Sequence, residues 1–160
     1  MIDSLNGQPE VSRRATLAGM AGVAAAAIAT GTSTAVADEG LAADAIKSLT
    51  RGAAVKPDRV SVVMPELAEN GNTVVMTVTV ESPMTAADHV RAIHIIADKN
   101  PIARVVSFHL GPRAGRAKVA ANIRLATTQV VTALAEMSDG STWSGTQEVI
   151  VTLAACLDAG

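Results

Sequence analysis

The sequence predicts an all-β protein: an antiparallel β-sandwich with a short N-terminal helix in front and a C-terminal cysteine-bearing tail behind. Three observations predict it. After Pro57, short apolar runs recur, several of them alternating with polar residues, and Gly, Pro or Asn turns close them. No helix-length segment separates these runs, which argues against a parallel α/β sheet. Aromatics make up 1% of the 160 residues and hydrophobic residues 49%, so the core must be built from Val, Ile, Leu, Ala and Met.

Residues 40–51 place Leu41, Ala45, Ile46 and Leu49 on one helical face, with Gly52 as the stop. A helix this short needs the body of the domain to hold it. Residues 59–64 form a β-branched run, and Asn70-Gly71-Asn72 marks a turn. Residues 73–81 alternate Thr and Glu against Val, the pattern of a half-buried strand ended by Ser82-Pro83. Further strands are expected over 90–97, 104–110, 118–126, 128–137 and 148–153, with Ser138-Asp139-Gly140 as a hairpin turn.

The first 37 residues read as an export signal. Arg13-Arg14 and Leu17 resemble a twin-arginine leader, an uncharged Ala-rich stretch follows, and Ala35-Val36-Ala37 is a small-x-small cleavage pattern. The alternative is a membrane anchor. The apolar run falls short of the ~20 residues a span needs, and Thr30 to Thr34 interrupts it. The expected organisation is a signal peptide over 1–37, a sandwich domain over 38–152 and a tail over 153–160, in a protein exported to the periplasm with no membrane partner.

Composition excludes several functions. Base-stacking platforms for nucleic acid need aromatic faces, and this chain has one Phe, one Trp and no Tyr. A net charge of −2 implies no strong field toward a polyanion. No nucleophile elbow or phosphate-cradling glycine loop is present, so no enzymatic activity and no cofactor is expected.

Cys156 is the one cysteine of the chain. No internal disulfide is then possible, and the thiol either reacts or links molecules. It lies near the C-terminus, where chains are usually exposed, and its thiolate could attack or be attacked. The opposing reading is a small buried apolar filler. From Thr152 to Cys156 an extended tail would reach roughly 13 Å. His89, His94 and His109 read as surface or strand-edge residues, because nothing in sequence converges them on a metal. Met64, Met76 and Met84 are candidate soft-metal ligands, but Met76 lies inside an alternating strand and reads more simply as core. Arg113, Arg116 and Lys118 make a basic loop, read either as a solvated turn or as a dock for anionic cargo or an acidic partner.

Several segments together resemble the SoxY family, the carrier subunits of sulfur oxidation. They are Met64-Pro65-Glu66-Leu67-Ala68-Glu69-Asn70-Gly71-Asn72, Val80-Glu81-Ser82-Pro83-Met84, Asn100-Pro101, Ile123-Arg124-Leu125-Ala126 and Ser138-Asp139-Gly140, with the near-terminal Cys156. The resemblance implies an immunoglobulin-like sandwich that pairs with a SoxZ-like subunit. It also implies a swinging arm whose cysteine, here Cys156, carries thiosulfate-derived sulfur between a thiosulfate-coupling haem cytochrome and a sulfate-releasing hydrolase. Family arms flank the cysteine with glycine. Here Ala154, Ala155, Leu157 and Asp158 stand around it, so a stiffer arm is expected, with a negative charge beside the thiol. The alternative function is that of a divergent paralogue, or of an interaction module whose cysteine only links subunits by a disulfide.

Overall fold

The computed structural model describes residues 39–155. One helix, α1 (Glu39–Thr50), leads into nine strands: β1 (Val55–Pro57), β2 (Val60–Val63), β3 (Leu67–Asn70), β4 (Val74–Val80), β5 (Val90–Ala97), β6 (Arg104–His109), β7 (Lys118–Ile123), β8 (Gln129–Met137) and β9 (Thr142–Leu153). The described fold is all-β with one small helix, as the sequence predicts. Among the described residues no helix is long and apolar enough to cross a membrane.

The strands form two sheets. The larger runs β1-β9-β8-β5-β6, with β3 also paired to β9; the smaller runs β2-β4-β7. The long pairings β9-β8, β8-β5, β5-β6, β2-β4 and β4-β7 are antiparallel. The larger sheet is mixed rather than purely antiparallel, because β1 and β3 join β9 in parallel. Neither of these short strands shows a strand pattern in the sequence. Val55–Pro57 contains a proline, and Leu67–Asn70 lacks β-branched residues. Their pairing with β9 makes them strands.

The core lies between the sheets. Val74, Met76, Val78 and Val80 point inward from β4, following the alternation in the sequence, and meet Val90, Ile93, Ile95 and Ala97 of β5 and Val131, Ala133, Ala135 and Met137 of β8. Met64, Met76 and Met84 are all buried. Their flexible thioethers help fill a core that few aromatic rings occupy.

The other face of the larger sheet is only partly covered. Ala42, Ala45, Ile46 and Leu49 of α1 pack on Ile96 and Leu134. The buried stripe therefore starts at Ala42, while Leu41 is exposed. The 42/45/46/49 spacing is the one that keeps a single face toward the sheet. Gly52 closes the helix at a φ of +79°, and its N–H donates to the Lys47 carbonyl.

Strand β5 carries a bulge between Val90 and Ala92 opposite β8. Strict alternation back from Ile93 would aim Arg91 into the core. The extra residue restores Val90 to the core and leaves Arg91 exposed.

Candidate functional site

The sequence directs attention to the end of β9, where the chain approaches Cys156. Strand β9 ends at Leu153, and several groups grip the residues around that end. The Thr128 hydroxyl oxygen accepts from the Val151 N–H at 2.9 Å, and the Thr152 hydroxyl donates to the Glu69 carbonyl at 2.9 Å. The Gly71 N–H donates to the Leu153 carbonyl at 2.8 Å, the Leu125 N–H to the Gly71 carbonyl at 2.8 Å, and the Ala155 N–H to the Leu125 carbonyl at 3.3 Å. Ala154 is exposed, whereas Ala155 is only 6% exposed.

Two features of the sequence make this arrangement possible. Gly71 lies so close to the neighbouring chain that a Cβ there would collide with the Leu125 carbonyl oxygen. It would also come within 3.0 Å of the Ala155 nitrogen and 3.1 Å of Val151 Cγ1. Its missing side chain admits the close backbone approach. Leu125 is in turn fixed from both sides by Asn100, whose amide donates to the Arg124 carbonyl and whose carbonyl oxygen accepts from the Ala126 N–H, each at 2.9 Å. Gln129 Nε2 also donates to Asn100 Oδ1, at 2.9 Å. This polar group is fully satisfied and buried, so it holds a single geometry.

The tail expected over 153–160 therefore divides. Leu153 belongs to β9, Ala154 and Ala155 are placed, and Cys156, Leu157 and Asp158 lie outside the described residues. So does the segment read as an export signal.

The remaining candidates fall elsewhere. Arg113 sits in a single 3-10 turn, Pro112–Ala114, and Arg116 and Lys118 follow it toward β7. The three histidines of the chain, which the sequence suggests are surface or strand-edge residues, line one cleft on the outer face of the larger sheet. His94 is buried rather than on the surface, at 6% exposure. Its Nδ1 lies 2.7 Å from Ser107 Oγ and its Nε2 3.2 Å from Glu136 Oε1. The sheet register explains the meeting: His94 pairs with Ser107 on β6, and Ala92, two residues earlier on the same face, pairs with both His109 and Glu136. Among the described residues no three His, Cys, Asp or Glu side chains are grouped to hold a metal ion.

The family model for the sulfur oxidation protein SoxY matches residues 46–156, ending on the cysteine. The chain belongs to the SoxY family. The solved structure of the sulfur carrier protein SoxY from Chlorobium limicola f thiosulfatophilum is 25% identical, with a TM-score of 0.59 over 71% of this chain and 96% of that one. Superoxide reductases share the fold at lower identity. The one from Ignicoccus hospitalis is 18% identical with a TM-score of 0.52, covering 59% of this chain and 80% of its own. The one from Nanoarchaeum equitans is 11% identical with a TM-score of 0.50, covering 60% and 100%. No curated protein matches the chain. As a SoxY family member the chain is a sulfur oxidation protein.

Proposed function

We propose that this SoxY family member is a periplasmic sulfur carrier that binds thiosulfate-derived sulfur covalently on Cys156 and catalyses none of the steps itself. The observation that carries this reading is the family match, which runs through the sandwich and stops at Cys156. The placement of Ala155 supports it. Cys156 is the residue directly after the last one gripped by Leu125, so the sandwich fixes the chain up to the residue before the cysteine. On this reading the domain is an immunoglobulin-like sandwich, its arm is the run from Ala154 to Gly160, and the twin-arginine leader takes it across the membrane. It works paired with a SoxZ-like subunit.

The chemistry requires partners. In loading, the Cys156 sulfur forms a bond to the terminal sulfur of thiosulfate. The thiol proton goes to solvent, and two electrons pass to the haem groups of the thiosulfate-coupling cytochrome. In unloading, water attacks the sulfonate sulfur in the hydrolase, sulfate leaves, and a persulfide stays on Cys156. The carrier contributes only a nucleophilic sulfur and its delivery.

The test is intact-mass spectrometry after incubation with thiosulfate and the oxidising cytochrome. The expected result is a reductant-sensitive adduct on the wild type and none on Cys156→Ser. An unmodified wild-type chain, under conditions that load a glycine-armed family member, would reject the proposal. A disulfide-linked dimer without adduct would favour the subunit-linking alternative instead.

A further inference from the structure

We propose that the histidine-lined cleft on the outer face of the larger sheet binds a small tetrahedral oxyanion, with Arg91 and His109 as its donors. The cleft is open and encloses about 530 Å³, within the size range of small-molecule sites. It exists because Ala92 stands between two longer side chains. The sheet register sets Ala92 opposite His109 on one side and Glu136 on the other, so a methyl group forms the floor between an imidazole and a carboxylate.

The wall residues divide into those already engaged and those with donors to spare. His94 is engaged at both ring nitrogens, by Ser107 and Glu136, and is a positioning residue. Through it the Glu136 carboxylate is engaged as well. The Ser107 hydroxyl is held by His94 and does not line the cleft, which argues against a nucleophilic role. His89 Nδ1 donates to the Thr85 carbonyl at 3.1 Å, so in the neutral ring its Nε2 is an acceptor and His89 does not serve as an anion donor. Arg91 and His109 are exposed, and among the described residues neither side chain has a hydrogen-bond or ion-pair partner. The His109 ring stands edge-on to His94, with centroids 6.3 Å apart. Arg91 reaches the rim because the β5 bulge turns it out of the core.

Donor chemistry decides the class of ligand. Among the residues lining the cleft Arg91 is the one permanent cation and Glu136 the one carboxylate, and Glu136 is bound through one oxygen to His94 Nε2. A metal cation is disfavoured by the Arg91 side chain at the cleft, and no set of three ligating side chains is present among the described residues. A guanidinium with an adjacent imidazole matches the oxygens of a sulfate- or phosphate-like ion. The inference stands on this cleft alone and is independent of Cys156.

The test is an NMR titration of the full-length chain with sodium sulfate and with sodium phosphate, at ionic strength held constant with sodium chloride. The expected result is saturable shifts at Arg91, Ala92 and His109 with at least one of the two ions. Affinity should fall at least tenfold in Arg91→Gln and in His109→Gln. Both positions are exposed, so these variants should fold, and an unchanged amide spectrum elsewhere checks that they do. Lys118→Gln, in the basic loop, should leave affinity unchanged. Absence of saturable shifts with both ions would overturn the proposal. So would equal affinity in Arg91→Gln, or shifts confined to residues 113–118.

Discussion

At the end of β9 the chain is held by main-chain groups. Gly71, Leu125, Leu153 and Ala155 exchange N–H and carbonyl contacts, and the absence of a side chain at Gly71 is what lets them meet. On the outer face around His94 the holding is done by side chains, an imidazole between a hydroxyl and a carboxylate. The difference sets what each region tolerates. A backbone contact is broken by adding atoms, while a side-chain cluster is broken by removing them and can be retuned one residue at a time. The first suits a fixed point of departure for a tail. The second suits a surface that adapts to a ligand.

The largest expected effect is at the backbone grip. Gly71→Ala puts a methyl group onto the Leu125 carbonyl and should cost about 2–3 kcal/mol of stability, read by urea denaturation. The Leu125 and Ala155 amides should lose hydrogen-exchange protection more than amides of the β5–β8 pairing. Equal loss everywhere would show that Gly71 supports the whole sandwich and not the tail root.

The side-chain cluster should respond next. His94→Ala removes a buried ring and both of its hydrogen bonds and should cost about 1–2 kcal/mol. His109→Ala, at an exposed side chain with no hydrogen bond among the described residues, should stay within about 0.5 kcal/mol. Equal costs at the two positions would contradict the division between a bracing histidine and a free one.

The smallest effect is expected at a site remote in kind from both. In the β8–β9 turn the Asp139 carboxylate accepts from the Ser141 hydroxyl at 2.7 Å and from the Ser141 N–H at 2.8 Å. These bonds, the hydroxyl first, hold its pKa below the ordinary 3.8, with Lys56 and Arg59 adding to the effect. A lowered carboxylate pKa stabilises the fold above the unfolded-state value, and the contribution fades as pH falls through the folded one. An NMR titration should find Asp139 below 3.8 and find it raised in Ser141→Ala.

Much of the scaffold was legible in the sequence, because alternation marks strands that are half-buried. Val74, Met76, Val78 and Val80 announce β4, and Asp139-Gly140 announces the turn before β9. What escaped was structure made by distant partners. The start of β9, Thr142 to Gly145, has little apolar pattern, yet it is paired along its length with β8. The bulge at Arg91 is invisible to a rule of strict alternation.

The two functional regions differed in the same way. Cys156 stood out as a residue, but the grip on Ala155 depends on Gly71 and Leu125, which no local pattern links to it. The histidines stood out as residues too, and were separated because they lie on or beside different strands. A signal was present. Glu136 is the one charged residue in the mostly apolar β8, and the turn near Asn100 sets a register in which His94 faces Ser107.

The central claim is that Cys156 carries sulfur, and the most direct measurement is made on the chain taken from its working environment. The protein, purified anaerobically from cells oxidising thiosulfate, is digested and its C-terminal peptide weighed before and after reductant. Added sulfur or sulfonate mass is expected on the peptide containing Cys156, removed by reductant. A peptide found only as a free thiol, or only as a disulfide between two chains, would contradict it.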